Sequence, residues 1–149
     1  MWRLPGLCLL LMSTQVNALE RMSEKDVRDL LNRQSLLIMH KDIDALMALY
    51  DAGFQQIIPA ENNRVIGKEE VRKVWNANFS IATHILNTLD IRQLTLRDDG
   101  RQAVVKTHIR NRYLIQLKER QDVLEQDDDY IVEVALKQGE PVFVSMEKL

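Results

Sequence analysis

The stretch QAVVKTHIRNRYLIQLKERQDVLEQDDDYIVEVALK, residues 102–137, decides the fold. Val105, Thr107, Ile109, Asn111, Tyr113 and Ile115 occupy one side of its first half; Lys106, His108, Arg110 and Arg112 occupy the other. Alternation at period two over this length is the mark of a half-buried β-strand. Residues 118–121 carry no apolar side chain and read as a turn, so 102–117 and 122–137 are expected to form one long antiparallel hairpin. With Glu119 and Arg120 at the tip, Arg110 faces Asp129, Arg112 faces Asp127 and Lys106 faces Glu133. Cross-strand opposite-charge pairs contribute about 0.2–1 kcal/mol each, so the acidic run Asp127-Asp128-Asp129 has a structural explanation. The same register sets Val134, Val132, Tyr130, Asp128 and Gln126 against the uncharged side and puts Asp128 opposite Asn111.

Upstream, the period is helical. Ser23 caps a first helix whose inward positions are Val27, Leu30, Leu31, Gln34, Leu37 and Ile38. Asp42 caps a shorter second helix with Ile43, Leu46, Met47 and Tyr50 on its apolar face, and Gly53 offers a left-handed stop. Residues 54–59 read as a short strand and 60–66 as a polar loop. Gly67 leads into a third helix whose inward positions are Val71, Val74, Trp75, Asn78, Phe79 and Ala82. From Ile85 to Leu96 the period returns to two. Leu89 and Ile91 differ in parity from Leu94 and Leu96, which predicts a bulge between them. Asp98-Asp99-Gly100 is a turn, residues 138–141 another, and Val142–Met146 the last strand. Helices first and strands afterwards predict an α+β domain, with three N-terminal helices packed on one face of an antiparallel sheet.

Composition narrows the function classes. The chain has 149 residues, 46% of them apolar, and a formal charge of −2. That suits one globular domain and excludes the basic footprint of a dedicated nucleic-acid binder. Met1-Trp2-Arg3, the apolar run Leu4–Met12, and Val16 and Ala18 before Leu19 form the layout of a secretory signal peptide. The expected organisation is a signal peptide over 1–18, cleaved between Ala18 and Leu19, and one exported domain over 19–149, periplasmic or secreted. The apolar run is too short for a permanent span, which needs about 20 residues, so no integral membrane span is expected in the mature chain. Cys8 follows Leu7 inside that run, unlike a lipoprotein cysteine, and would be discarded with the leader. Asn78-Phe79-Ser80 fits a glycosylation triplet but falls inside a predicted helix.

Several stretches resemble the nuclear transport factor 2-like superfamily, which includes the SnoaL-like (polyketide-cyclase-like) proteins and ketosteroid isomerase. They are Asp42-Ile43-Asp44-Ala45-Leu46 with Leu49-Tyr50, Ile66-Gly67-Lys68-Glu69-Glu70-Val71, Thr83-His84-Ile85-Leu86-Asn87, and Asp98-Asp99-Gly100 followed by Ala103-Val104-Val105. The resemblance implies a cone, a curved sheet of cystatin-like fold closed by helices around an apolar pocket. It also implies a homodimer and a small hydrophobic or amphipathic ligand. One departure is specific: ketosteroid isomerases carry a catalytic aspartate just before a proline in the strand after the second helix, and here that place holds Ile58, before Pro59. Isoleucine exchanges no proton. The family's tryptophan near the C-terminal end is also absent.

Candidate site residues follow from the inward faces. Tyr50, Trp75, Asn111, Tyr113 and Tyr130 are the expected ligand contacts; Tyr50, Phe54, Trp75 and Phe79 could equally be filled core. Asp128 and His84 are the candidates for catalysis. Asp128 would act if the pocket desolvated its carboxyl and raised its pKa. His84 would act as a base, or else cap the third helix. The histidines share no ligand spacing, and no metal site or cofactor is expected. The leading expectation is a ligand binder without catalysis. The alternatives are a cofactor-independent lyase or isomerase and a protein-interaction scaffold.

Overall fold

The computed structural model describes residues 18–149. The expected signal peptide, apart from Ala18, lies outside the described residues. Three helices, α1 (Glu24–His40), α2 (Ile43–Ala48) and α3 (Lys68–Ile81), pack against six strands: β1 (Tyr50–Ile58), β2 (Arg64–Gly67), β3 (Ala82–Arg97), β4 (Gln102–Leu117), β5 (Arg120–Lys137) and β6 (Glu140–Lys148). The strand order is β2-β1-β6-β5-β4-β3. All neighbours are antiparallel except β1 and β6, which run parallel. The architecture is the expected α+β cone.

Local chemistry sets the helix ends. Ser23 and Asp26 form a reciprocal capping box: the Asp26 N–H donates to Ser23 Oγ at 3.2 Å and the Ser23 N–H to Asp26 Oδ2 at 2.7 Å. Asp42 Oδ1 accepts from the Ala45 N–H at 3.1 Å and caps α2. At the end of the β3–β4 hairpin Gly100 takes a φ of +82°, and a Cβ there would lie 2.9 Å from the Met22 carbonyl oxygen. Glycine is required at that position, and the Met22 N–H donates to the Gly100 carbonyl at 2.7 Å, tying the segment before α1 to the hairpin.

Three details differ from the expectation. Tyr50 opens β1 instead of closing α2. Gly53 lies within β1, inside the register shift between Tyr50 and Gln55, and serves as a bulge residue rather than a helix stop. Residues 64–67 are a strand, paired with β1 through Ile57↔Val65 and Ile58↔Arg64. Asn62 and Asn63, at φ of 60° and 57°, make the turn that allows it; asparagine tolerates the left-handed region better than most residues.

The β4–β5 hairpin carries the main correction. Its tip is Lys118-Glu119, with Leu117 opposite Arg120. Arg110 therefore faces Asp127, Arg112 faces Glu125, Lys106 faces Ile131, and Asn111 faces Gln126 rather than Asp128. A slip of two residues leaves every side chain on its expected face. The predicted bulge in β3 appears between Ile91 and Gln93.

The core lies between the helices and the concave side of the sheet. Val27, Leu31, Leu46, Met47, Phe54, Val105, Val132, Val134 and Phe143 are fully buried there. Tyr50 joins Phe54 edge-on at 4.6 Å and Phe143 at 5.2 Å between ring centres. This aromatic cluster sits where β6 meets β1.

Candidate functional site

The core does not fill the cone. Between α1, α3 and the concave face of the sheet is a concavity of about 620 Å³ counted out to its open mouth. Gln34 and Ile38 line it from α1, and Val71, Val74, Trp75 and Asn78 from α3. Tyr50 and Gln56 come from β1, Asn87 from β3, Ile109, Asn111 and Tyr113 from β4, Gln126 and Tyr130 from β5, and Met146 from β6. All five expected ligand contacts, Tyr50, Trp75, Asn111, Tyr113 and Tyr130, meet there. Phe54 is core instead, and Phe79 stacks against Trp75 at 5.6 Å between ring centres.

None of the lining residues carries a charge. Its polar groups are carboxamides and phenols, and they are organised. Asn87 Nδ2 donates to Asn111 Oδ1 at 2.6 Å across β3 and β4, both residues being 6% exposed. Gln34 Nε2 donates to the Tyr50 hydroxyl at 2.6 Å. A carboxamide has two donors and a two-lone-pair acceptor, so each pair keeps polar capacity for an occupant. Burial pushes the Tyr50 phenol up to about 12, partly offset by the Gln34 amide, and pushes Tyr113 up to about 12. Tyr130 rises for the same reason, reinforced by the neighbouring Asp128 carboxylate.

Asp128 stands beside the cavity rather than in its lining. Its Oδ2 accepts from Gln126 Nε2 at 3.0 Å and, at a weaker 3.4 Å, from the Tyr130 hydroxyl. Its Oδ1 pairs with Lys148 Nζ at 2.9 Å. Desolvation is the largest single influence and would raise its pKa, but the Lys148, Gln126 and Tyr130 contacts together outweigh it and hold the carboxyl below its ordinary value. The raised pKa expected of this residue is therefore not what its surroundings produce. A depressed carboxyl stabilises the fold above the unfolded-state pKa of about 3.9, and that stability is lost as pH falls through the lower folded value. Asp128→Asn is expected to flatten the acid limb of stability against pH; urea midpoints measured down to acid pH check this, and an unchanged acid limb contradicts it.

His84 is not brought to Asp128. It lies in β3, opposite Leu114, on the convex side with Leu86, Arg112 and Val123. Nor does it cap α3, whose C-cap is Ala82, with its N–H bonded to the Asn78 carbonyl. Among the described residues no group of three or more His, Cys, Asp or Glu side chains is placed to hold a metal ion. No helix of the described residues is long and apolar enough to cross a membrane.

Sequence reasoning missed Gln34, Gln56, Asn78, Asn87 and Lys148 as parts of this neighbourhood. Gln34 and Asn78 carried a usable signal, since each is a polar residue on an otherwise apolar helical stripe. Asn87 could have been found from parity, because Ile85, Asn87, Leu89 and Ile91 share a side of β3. Lys148 carried none, because its reach to Asp128 depends on the β5–β6 register.

Comparison with known proteins agrees with this fold. A family model of SnoaL-like domains matches residues 27–122. No curated protein matches the chain in sequence. Among solved structures, a conserved protein from Planctomyces limnophilus superposes with a TM-score of 0.73 at 16% identity, covering 83% of this chain and 92% of that one. A candidate scytalone dehydratase from Novosphingobium aromaticivorans gives 0.69 at 13% identity, covering 83% and 80%. An NTF-2 like protein of unknown function from Shewanella oneidensis gives 0.59 at 16%, covering 85% and 98%. At these identities the likeness is one of fold.

Proposed function

We propose that this chain, which belongs to the SnoaL-like domain family, is an exported protein that binds a small uncharged hydrophobic or amphipathic molecule in its cone, without catalysis. The observation that carries the reading is the lining of the cavity: carboxamides, phenols, an indole and aliphatic groups, with no formal charge among them. An ionised ligand would lose its hydration there and find no counter-charge, a cost of several kcal/mol. An uncharged ligand with hydroxyl or carbonyl oxygens loses little, because Asn87, Asn111 and Gln34 replace its water partners. Val74, half exposed on α3 beside Trp75, offers apolar surface at the cavity's edge.

The affinity test is Asn111→Leu, which removes one half of the buried amide pair and leaves Asn87 Nδ2 unpaired. A lost polar anchor costs about 1–3 kcal/mol, or roughly fivefold to 150-fold in Kd. Calorimetry with any ligand found for the wild type checks it, and an unchanged Kd contradicts it.

The rival reading is a cofactor-independent lyase or isomerase, for which the candidate scytalone dehydratase offers only a shared fold. Asp128, kept ionised by Lys148, is a weak base and touches the cavity only through Tyr130 and Gln126. Asp128→Asn is expected to leave binding nearly intact. A product formed by the wild type and lost by orders of magnitude in this variant would establish the enzyme instead.

A further inference from the structure

On the concave side, one row across the sheet consists of carboxamides alone. Asn87 on β3 lies opposite Asn111 on β4, and Asn111 lies opposite Gln126 on β5. What each amide bonds decides what it has left to offer. Asn111 Oδ1 is taken by Asn87 Nδ2 at 2.6 Å. The Asn111 NH₂ group has no hydrogen-bond partner among the described residues, although Asn111 is 6% exposed and lines the cavity. Gln126 is turned by Asp128. An ionised carboxylate accepts hydrogen bonds and donates none, so it is Gln126 Nε2 that faces Asp128 Oδ2, at 3.0 Å. The same nitrogen lies 3.4 Å from the Tyr130 hydroxyl. Gln126 Oε1 is left with the Tyr113 hydroxyl at 3.5 Å, a distance too long for a strong bond. Lys148 Nζ, 2.9 Å from Asp128 Oδ1, holds the carboxylate from its other side.

We infer that the ligand carries a hydrogen-bond acceptor and a donor on adjacent atoms, as the C=O and N–H of a lactam ring do, and that Asp128 sets this preference as a positioning residue. Opposite residues of an antiparallel pair have Cβ atoms about 4.5–5.5 Å apart, so the open donor of Asn111 and the open acceptor of Gln126 are neighbours. A cis-amide meets both at once: its carbonyl accepts from Asn111 Nδ2, and its N–H donates to Gln126 Oε1. A ketone meets Asn111 alone. Asn111 is buried and Gln126 is exposed at the mouth, so the carbonyl lies deeper and the N–H nearer solvent. Replacing the carboxylate reverses Gln126. In Asp128→Asn the Lys148 ammonium, which only donates, draws the new side-chain oxygen and leaves the new NH₂ group facing Gln126. Gln126 must then accept with Oε1 and offer its own N–H to the ligand. Asp128 thus acts on the ligand without touching it.

This ligand class rests on the cavity being a binding site, and the test separates the two. The probes are δ-valerolactam and cyclohexanone, rings of nearly equal shape that differ by the N–H. Each is titrated by NMR into the wild-type chain, Gln126→Leu and Asp128→Asn, with the Asn111 side-chain amide as reporter. The quantity compared between proteins is the ratio of the cyclohexanone Kd to the lactam Kd, in which the unequal hydration of the two rings cancels. The ratio should fall about fivefold in Gln126→Leu, the share of one partly exposed hydrogen bond. It should fall at least as far in Asp128→Asn, where Gln126 offers the wrong group. A merely structural role for Asp128 would change both constants together and leave the ratio as it was. In the wild type, the Gln126 side-chain NH₂ signals should also move with the titration of the Asp128 carboxyl. An unchanged ratio in Gln126→Leu overturns the ligand class. An unchanged ratio in Asp128→Asn, or Gln126 NH₂ signals that ignore the Asp128 titration, overturns the positioning role; the second readout needs no variant to fold. If neither ring binds saturably, the ligand reading and this inference fall together; if both bind and the ratio does not move, only the inference falls.

Discussion

Phe143→Ala should lower the unfolding free energy by about 3–5 kcal/mol, the usual cost of truncating a fully buried phenylalanine to a cavity. Phe143 has no exposed surface and packs against the Tyr50 ring. It also lies where the sheet changes character, since β6 pairs antiparallel with β5 and parallel with β1 around it. Its N–H donates to the Leu49 carbonyl at 2.9 Å, joining the end of α2 to the last strand. A domain of this kind has about 5–15 kcal/mol of stability in all, so the loss is a large share of it. The void would open beside Tyr50, which lines the ligand cavity, so binding should weaken with stability. Urea unfolding of the two proteins measures the difference. A loss below about 1 kcal/mol would mean that the Phe143 ring is not packed in the core as described.

The second large effect is in alkali. The chain has three tyrosines, and all three line the cavity. Burial raises every one of them, Tyr50 and Tyr113 to about 12. A phenol raised in the folded state stays neutral there while the unfolded chain ionises near pH 10. The associated stability is complete below that value and is lost as pH rises through it towards the folded pKa. Near-ultraviolet absorbance should therefore show almost no tyrosinate at pH 10, and then ionisation together with unfolding. Early, reversible ionisation of a tyrosine in the folded protein would mean that its hydroxyl stands in open water and the cavity is not formed as described.

Much of the fold was legible because several independent patterns agreed. The Ser23 cap, the parity change inside β3 and the glycines at 67 and 100 each mark a boundary on their own chemistry. The hairpin shows the limit of such reading. Glu125, Asp127 and Asp129 recur at every second position, so a slide by two residues still sets an acid opposite Arg110 and Arg112. Charge pairing alone could not choose the register. The structure sets Ala103 against Val134, Val105 against Val132 and Thr107 against Tyr130 on the buried side. The faces survived the slip, because side chains alternate with period two, and so the expected ligand contacts still converged on one cavity. What did not survive was Asp128 opposite Asn111. The carboxylate moved two places along the strand, out of the cavity lining and into the reach of Lys148.

The cavity's function stands on its neutral, amide-rich lining, and the most direct measurement is an NMR titration that follows the side-chain NH₂ groups of Asn87 and Asn111 and the indole N–H of Trp75. Small phenols, cyclic ketones and alcohols would be added beside their carboxylate and ammonium analogues. The predicted result is that uncharged oxygenated rings shift both asparagine amides and the indole together, and saturably, while the charged analogues do not. Saturable binding of charged analogues at those amides, or no response from them to any uncharged ring, would contradict the account.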